Sequence, residues 1–273
     1  MSEENTSEFQ APPPEWQAPP PPEKIEAPET AQMSEIATIF GIFFEPGKVF
    51  EDLRRKPRFV VGSLIIALLV TAYSFGLFYK VGDAGMRTFA AEQLDKNPRA
   101  SGMTNEQREG AIDLQLKITS VIRYIMPVFV FISLLLGGLF YWLGGKAFGG
   151  NGGFLNNLSV WIYSSIPPAV IGMILNFVVL GFKSADDIDI GASQRGVIHA
   201  SLAAVLDGKA MPVLATVVGT VDLFFIWGWI LAAIGLRITN RISSSSAWGI
   251  TLIFALIGVA FRVLGAFASG NPG

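Results

Sequence analysis

The sequence predicts an all-α membrane protein built as a five-span transmembrane helical bundle. Of its 273 residues, 51% are apolar, and the mean hydropathy is +0.47. Five apolar stretches each reach the roughly 20 residues that a helix needs to cross a hydrocarbon core about 30 Å thick. The backbone must satisfy its own hydrogen bonds in lipid, so stretches this long are expected to be helices. They are Phe59–Tyr79, Tyr124–Leu143, Leu158–Phe182, Val213–Leu236 and Ala247–Phe267.

The N-terminal segment, residues 1–34, is predicted to be a disordered tail. It contains eight prolines, seven glutamates and one lysine. A segment of this composition cannot bury enough apolar surface to fold, and its proline runs favour polyproline II. Trp16, alone among prolines, could dock into a groove that recognises extended peptides. The alternative is that the tail only keeps the chain soluble.

The membrane domain, residues 35–273, begins with an amphipathic element over 35–57. Pro46 is placed to open a helix at its first position. Val49, Phe50 and Leu53 then form one apolar face, which predicts an element lying at the membrane interface. A basic cluster at its end could attract anionic headgroups or could serve only to fix the topology. This cluster contains Arg54, Arg55, Lys56 and Arg58.

Residues 80–123, between the first two spans, are predicted to form a helical hairpin outside the membrane. Thr104 and Gln107 match a capping box, and the segment 98–102 supplies the break between two helices. Apolar residues recur at helical spacing on both sides of this break, and we expect the two stripes to pack together. The stripes are Met86, Phe89, Ala90 and Leu94 on one side, and Ala111, Leu114, Ile118, Val121, Ile122 and Ile125 on the other.

The basic residues predict the orientation of the chain. Five basic residues lie just before the first span, and the loops after the second and fourth spans carry basic residues and no acids, whereas the other two loops mix signs. Lys and Arg accumulate on the cytoplasmic side. We therefore expect an inner-membrane protein with its N-terminus inside and its C-terminus outside. The hairpin then lies on the outer side.

The short loops on the predicted cytoplasmic side have their own signals. Residues 144–154 contain six glycines, which permit tight turns, but no phosphate-binding motif follows them. The serine run at 243–246 is a candidate N-cap for the fifth span.

Two charged residues lie within the apolar stretches, Asp222 in the fourth and Arg262 in the fifth. A charge at this depth costs about 2.5–3.5 kcal/mol on insertion scales, so it normally finds a partner or faces water. Asp222 and Arg262 could pair and lock two spans together, or the cluster could line a cavity for a polar substrate or lipid headgroup. Arg262 could also extend outward to the interface by itself. The polar residues expected at similar depth are Asn176, Tyr73, Ser74, Thr216 and Thr220.

The third span carries Pro167 and Pro168 near its middle. Each proline removes a backbone donor, which predicts a kink or break there, with Ser164 and Ser165 available to bond freed carbonyls. Broken helices form binding sites in transporters. A purely structural kink is the alternative.

Composition argues against enzyme chemistry. Cysteine is absent and His199 is the single histidine, which excludes a thiolate centre and a multi-histidine metal site. His199 is expected outside the membrane and no nucleophile elbow is present, so no Ser/His/Asp triad is expected either. The acidic run 186–189 lacks the pattern of a calcium loop. We expect no catalytic residues, no metal and no cofactor, and no nucleic-acid partner.

Four segments in order give the chain a resemblance to a known family. They are IFFEPGKVFEDLRRKPRF before the first span, KAFGGNGGF in the glycine-rich loop, WIYSSIPPAV in the third span and VDLFFIWGWILAAIGL in the fourth. Together they resemble the Yip family of Ypt/Rab-interacting membrane proteins, and specifically its bacterial branch. The resemblance covers roughly residues 38–268 and implies a non-catalytic multi-span fold. Eukaryotic members resemble adaptors that recruit small GTPases, a role that is not carried over to this chain.

The function expected from these observations is that of a non-enzymatic membrane adaptor or membrane-organising protein. Its partners would be the lipid bilayer and a protein bound through the tail or the hairpin, and self-association is left open. The alternative is a transporter, channel or lipid-handling protein that uses the polar cluster of Asp222, Arg262, Asn176, Tyr73 and Thr220.

Overall fold

The part of the chain that the structure describes is built from helices joined by short turns and contains no strand, as the sequence predicted. The computed structural model describes residues 30–193, 196, 211–219 and 222–269. Within them, five helices are long and apolar enough to cross a membrane. Most of the tail, together with Trp16, His199 and Thr220, lies outside the described residues.

Two short helices precede the first span. Helix α1 spans Glu35–Phe44, and Ser34 caps it by accepting a hydrogen bond from the Ala37 amide at 3.1 Å. Helix α2 spans Pro46–Arg55, so the predicted start at Pro46 is confirmed.

The apolar face predicted for this segment is covered by protein. Val49, Phe50 and Leu53 are completely buried, because α2 packs against the helices of the third and fourth spans. The element therefore belongs to the core of the bundle. The exposed apolar side chains in this region belong instead to α1, where Ile36, Phe40 and Phe44 recur at helical spacing.

The first two spans continue past the membrane as a hairpin. Helix α3 spans Val60–Asp95, with one residue of non-helical backbone at Gly82 (φ 72°, ψ 177°). A 3-10 turn at Pro98–Gly102 connects it to α4, which spans Asn105–Ala147. At about 1.5 Å per residue, α4 is roughly 65 Å long, about twice the thickness of the hydrocarbon core.

The hairpin packs differently from the prediction. Both bonds of the capping box between Thr104 and Gln107 are present, and Met86 and Ala90 of α3 are buried as expected. The expectation that the α4 stripe packs against α3 is wrong, because the face of α4 that carries Ile112 points inward instead. The exposed stripe consists of Leu114, Ile118, Val121, Ile122 and Ile125.

Helix α5, Phe154–Phe182, lies at the centre of the bundle. It packs against α1, α2, α3, α4 and the last part of the fourth span. Ile162, Tyr163 and Ile166 are fully buried among these neighbours. Gly138 of α4 allows the closest approach, since a Cβ there would lie 2.8 Å from the Cα of Leu158.

The fourth helix of membrane-spanning length is Leu223–Asn240, which begins later than the predicted span Val213–Leu236. After the short helix α6, Ile190–Ser193, helix α7 spans Pro212–Gly219 and α8 spans Leu223–Asn240. The last helix, α9, spans Ser244–Ser269 and packs on α7 and α8. Its serine cap is confirmed, because Ser243 Oγ accepts a hydrogen bond from the Ser246 amide at 3.1 Å.

Candidate functional site: polar clusters at the two ends of the bundle

The bundle has two distinct ends. We call the end that carries residues 80–123 the hairpin end, and the end that carries α1, α2 and residues 144–153 the loop end. Buried polar side chains collect at both ends, and the two collections differ in how their partners are arranged.

At the loop end, Asp52 and Arg58 form a buried ion pair. Arg58 Nη1 lies 2.5 Å from Asp52 Oδ2 and 3.0 Å from the hydroxyl of Thr38. The two charged side chains are 3% and 8% exposed, and Thr38 is fully buried. Arg58 Nη2 also donates to the carbonyl of Met33 at 2.5 Å. The pair thus ties the start of the first span to the segment that leads into α1.

The second oxygen of Asp52 is also occupied. The amides of Gln32 and Met33 donate to Asp52 Oδ1 at 2.5 and 3.1 Å. Burial acts to raise the pKa of Asp52, but the hydrogen bonds from Arg58, Gln32 and Met33 outweigh it and lower the pKa below its ordinary value. The carboxylate is therefore held in its charged form as a structural anchor.

Two buried asparagines form a second contact at the loop end. Asn157 of α5 and Asn240 of α8 exchange hydrogen bonds between their side-chain amides, at 2.8 and 3.2 Å. Asn157 Nδ2 also donates to Gly153 O at 2.9 Å, and Asn240 Nδ2 contacts Leu236 O at 3.2 Å. Such an exchange satisfies both amides inside an apolar bundle.

The glycine-rich loop packs directly against this pair of asparagines. A Cβ at Gly152 would lie 2.5 Å from Asn240 Oδ1, and one at Gly145 would lie 2.6 Å from it. The amide of Asn151 donates to the backbone carbonyl of Asn240 at 3.2 Å. The glycines therefore make room for a buried amide.

Asn156 joins the loop end to α2. Its Nδ2 donates to the carbonyls of Leu53 and Arg54 at 3.2 and 3.0 Å, which are among the carbonyls left open at the end of α2. Together with Asp52–Arg58 and Asn157–Asn240, this contact closes the loop end, although the buried hydroxyl of Tyr163 has no hydrogen-bond partner among the described residues.

The basic cluster predicted at the membrane surface divides into two kinds of residue. Arg58 is not a surface residue, because it is buried against Asp52. Arg54 Nε pairs with Glu51 at 3.1 Å, Arg55 is half-buried, and Lys56 is exposed. Contact of these three residues with headgroups stays a prediction.

At the hairpin end, Asp222 directly precedes α8, the helix that forms the fourth span. Its backbone is extended, and its Oδ1 accepts a hydrogen bond from the amide of Phe224 at 2.7 Å, which makes it the N-cap of α8. The side chain is 6% exposed. A buried carboxylate at a helix N-terminus is favoured by the open amides and by the helix dipole.

Arg262 lies close to this cap. Its guanidinium carbon is 4.4 Å from the centre of the Phe225 ring, three residues after Asp222. This cation–π contact holds the arginine beside the start of α8. Direct pairing of Asp222 with Arg262 stays a prediction, and Thr220 lies outside the described residues.

Tyr73 and Asn176 lie at a different part of the hairpin end, each with its own partners. The Tyr73 hydroxyl donates to the carbonyl of Ser193 at 2.7 Å, and its ring packs edge-on against Phe177. Asn176 Nδ2 donates to the carbonyl of Gly172 at 2.8 Å, and Gly196 lies against its amide. Both side chains are buried and secure the segment around residue 193.

The prolines of the third span lie inside a helix that is not interrupted. Helix α5 continues through Pro167 and Pro168, so the break expected there does not occur. Ser164 and Ser165 both donate to the carbonyl of Trp161, at 3.0 and 2.8 Å. A bend of the helix axis at the prolines stays a prediction.

Sequence reasoning missed the residues that close the loop end, namely Asp52, Asn156, Asn157 and Asn240. The four glycines around residue 150 were a usable signal, because a run of residues without side chains leaves room for a buried side chain from another helix. The described part of the chain contains no cluster of three or more His, Asp or Glu residues suited to a metal ion.

Taken together, apolar helices of membrane-spanning length and polar groups buried between them define an integral, multi-pass membrane protein. The Yip1 domain matches residues 40–266, which is most of the chain, and the chain therefore belongs to that family. It is 26% identical over 245 residues to membrane protein YknW of Bacillus subtilis (strain 168), covering 85% of this chain and 95% of that protein. No solved structure matches at a significant level.

Proposed function

We propose that the protein is a non-enzymatic adaptor that binds another integral membrane protein through the outward face of α4. The observation that supports this most is the exposed stripe of the hairpin. Leu114 is 58% exposed, and Ile118 and Val121 are similarly open. Exposed apolar side chains outside the hydrocarbon core carry a cost in water unless a partner covers them.

The continuity of this stripe supports a partner that is itself in the membrane. The same face of α4 continues into the span with Ile125, Val128, Phe129 and Ile132, all of them exposed. Leu114 lies ten residues before the expected start of the span at Tyr124, or about 15 Å along the helix. A partner that follows this face would pack both in lipid and beyond it.

We also propose that the loop end is cytoplasmic and that the hairpin lies outside the inner membrane. Lys146 at the end of α4, and Arg237 and Arg241 at the end of α8, support this orientation, because basic residues accumulate on the cytoplasmic side. The partner then has an extracytoplasmic extension.

The proposal is tested by crosslinking purification from native membranes of the unaltered protein and of the variant L114A/I118A. The control L256A/F261A makes the same kind of change at two exposed apolar positions of α9. We expect one integral membrane protein to co-purify with the unaltered protein and the control, and to be lost from the hairpin variant. All three forms should keep the same thermal unfolding midpoint.

Three outcomes would contradict the proposal. The partner could persist in L114A/I118A, or it could also be lost from the α9 control. The crosslinked species could also prove to be a second copy of this chain, which would indicate self-association. A parallel deletion of residues 1–34 identifies any partner that depends on the tail instead.

One observation favours a second candidate, a transporter or lipid-handling protein. The N-terminus of α8 carries the buried carboxylate of Asp222, with Arg262 close by against Phe225, and ionisable residues in membrane proteins often mark substrate pathways. Asp222→Asn is informative because asparagine caps helices about as well as aspartate. Unchanged stability with loss of ion or lipid flux in liposomes would favour transport. Lower stability, restored by exchanging the charges of Asp222 and Arg262, would indicate a structural pair.

A further inference from the structure

A cleft opens between α3 and α4 where the hairpin leaves the membrane. Its volume is about 410 Å³, within the range of sites for small ligands. It lies beside Gly82, where the backbone of α3 departs from helical geometry. The residues that line it include Phe78, Asp83, Arg87, Thr119, Ser120 and Arg123.

Arg123 supplies the positive charge and the main hydrogen-bond donors of this cleft. The residue is only 7% exposed, and its guanidinium carbon lies 3.4 Å from the centre of the Phe78 ring and 5.9 Å from that of Phe75. A ring stacked on the flat face of a guanidinium leaves the N–H groups at its edge available as donors. The hydroxyls of Thr119 and Ser120, one turn away on the same helix, add further donors to the same cleft.

None of the described acidic residues nearby forms an ion pair with Arg123. Glu109 and Asp113 pair with Arg87, at 2.5 and 2.8 Å. Asp83 lines the cleft and acts on Arg123 at longer range, but within the described residues the two form no ion pair. A buried arginine whose direct contacts are aromatic rings is a strong recognition element for a planar or tetrahedral oxyanion.

The position of the cleft at the membrane boundary indicates which kind of anion could reach it. Phe78 is near the end of the first expected span, and Arg123 immediately precedes the second, so the cleft lies at the membrane boundary. Next to Arg123 on α4, Ile122 and Tyr124 are exposed and apolar. Met86 and Leu116 add apolar lining to the cleft itself. An amphiphile could place its charged group in the cleft and its chains along α4.

We propose that this cleft binds a phosphate-bearing anion, the headgroup of an anionic phospholipid. Arg123 supplies the charge and the paired donors, Phe78 holds the guanidinium in position, and Thr119 and Ser120 complete the donor set. Arg123 is nine residues from Leu114 and five from Ile118, so the headgroup site faces away from that part of the stripe, whereas Ile122, which belongs to the stripe, would contact the lipid chains.

The test measures lipid retention by native mass spectrometry and the thermal unfolding midpoint of the full chain in detergent. Three probes are compared: phosphatidylglycerol, phosphatidylcholine and inorganic phosphate. We expect phosphatidylglycerol to bind about tenfold more tightly than phosphatidylcholine, a difference of about 1.4 kcal/mol. It should also raise the unfolding midpoint in proportion to its occupancy.

Variants assign the effect to the cleft. Arg123→Gln should remove the preference for phosphatidylglycerol. Since Arg123 is buried and this variant could fail to fold, the double variant T119V/S120A provides a second route, because it keeps the arginine and should weaken the preference severalfold. The matched control is Arg108→Gln, an arginine nearer the hairpin tip that pairs with Asp95 and does not line the cleft.

Equal retention of both lipids by the unaltered protein would overturn the proposal. It would also be overturned if both variants, T119V/S120A and Arg123→Gln, kept the full preference for phosphatidylglycerol. Protection by inorganic phosphate at low millimolar concentration, without selective lipid binding, would overturn the lipid source and assign the cleft to a free anion.

Discussion

The loop end and the hairpin end of the bundle use buried polar side chains in different ways. At the loop end, Asp52, Arg58, Asn157 and Asn240 bond to one another or to nearby backbone, and small residues are packed around them. At the hairpin end, two long helices extend beyond the bundle, and apolar side chains such as Ile118 stay exposed. Satisfied polar groups in a close-packed setting stabilise one structure, whereas exposed apolar faces and open clefts are available for binding.

The comparison predicts that the largest loss of stability comes from the loop end. Arg58→Ala leaves Asp52 charged and buried without its partner, and we expect a loss of roughly 3–5 kcal/mol in unfolding free energy. Thermal and denaturant unfolding in detergent would measure it. The exposed neighbour Lys56→Ala is the control, and it should stay within about 0.5 kcal/mol. A loss equal to that of the control would contradict the structural role of the pair.

The next effect concerns the glycine loop. Gly152→Ala would bring a Cβ within 2.5 Å of Asn240 Oδ1, so we expect a loss of roughly 1–3 kcal/mol from overpacking and from the strained amide pair. The control Gly110→Ala, on the open surface of α4, has no atom near its new methyl group. It should stabilise the protein by about 0.5–1 kcal/mol, because alanine favours helix over glycine. Equal effects of the two changes would show that the loop does not pack on Asn240.

Acid should weaken the loop end in a defined direction. The pKa of Asp52 is lower in the folded protein than its ordinary value of 3.8, so its contribution to stability is complete above that value. The contribution is lost as the pH falls through the lower pKa of the folded state. In Asp52→Asn this part of the pH dependence should disappear, which unfolding midpoints between neutral and acidic pH would reveal. An identical acid profile in both proteins would argue against a charged Asp52.

The smallest effect is expected at the hairpin surface. Arg87 pairs with Glu109 and Asp113 on the exposed surface of the hairpin, and exposed pairs contribute little to stability. Arg87→Ala should therefore shift the unfolding midpoint less than Gly152→Ala does. Any shift should vanish at about 1 M salt, where charges are screened within about 3 Å. A large, salt-independent loss would mean that the hairpin is held together as firmly as the loop end.

Local signals were predictable from the sequence, whereas side-chain pairing across helices was not. Pro46, the Thr104–Gln107 capping box and the Ser243 cap were identified correctly, because each depends on neighbours within a few residues. Arg58 was assigned to the surface, because its position in a basic run did not indicate that Asp52 and the carbonyl of Met33 would enclose its guanidinium. The pairing of Asn157 with Asn240 spans 83 residues and depends on the rotation of two helices.

The error on α4 has a physical cause. The prediction placed the stripe of Leu114 and Ile118 against α3, because the apolar face of a helix in water normally packs against protein. In the membrane part of α4 the relation is reversed, since apolar residues face lipid while Gly137, Gly138 and Tyr141 face protein. The hairpin portion keeps the same outward apolar face beyond the membrane. Its exposure is what makes the stripe a candidate for binding.

The most direct measurement is photo-crosslinking in native membranes, with a photoreactive amino acid placed at Ile118 or at Leu256. Both positions are exposed and apolar, but Ile118 is on the hairpin and Leu256 is on the lipid-facing side of α9. The account predicts one discrete species from Ile118 that contains a second integral membrane protein, and no such species from Leu256. The absence of a discrete species from Ile118, or the same species from both positions, would contradict it.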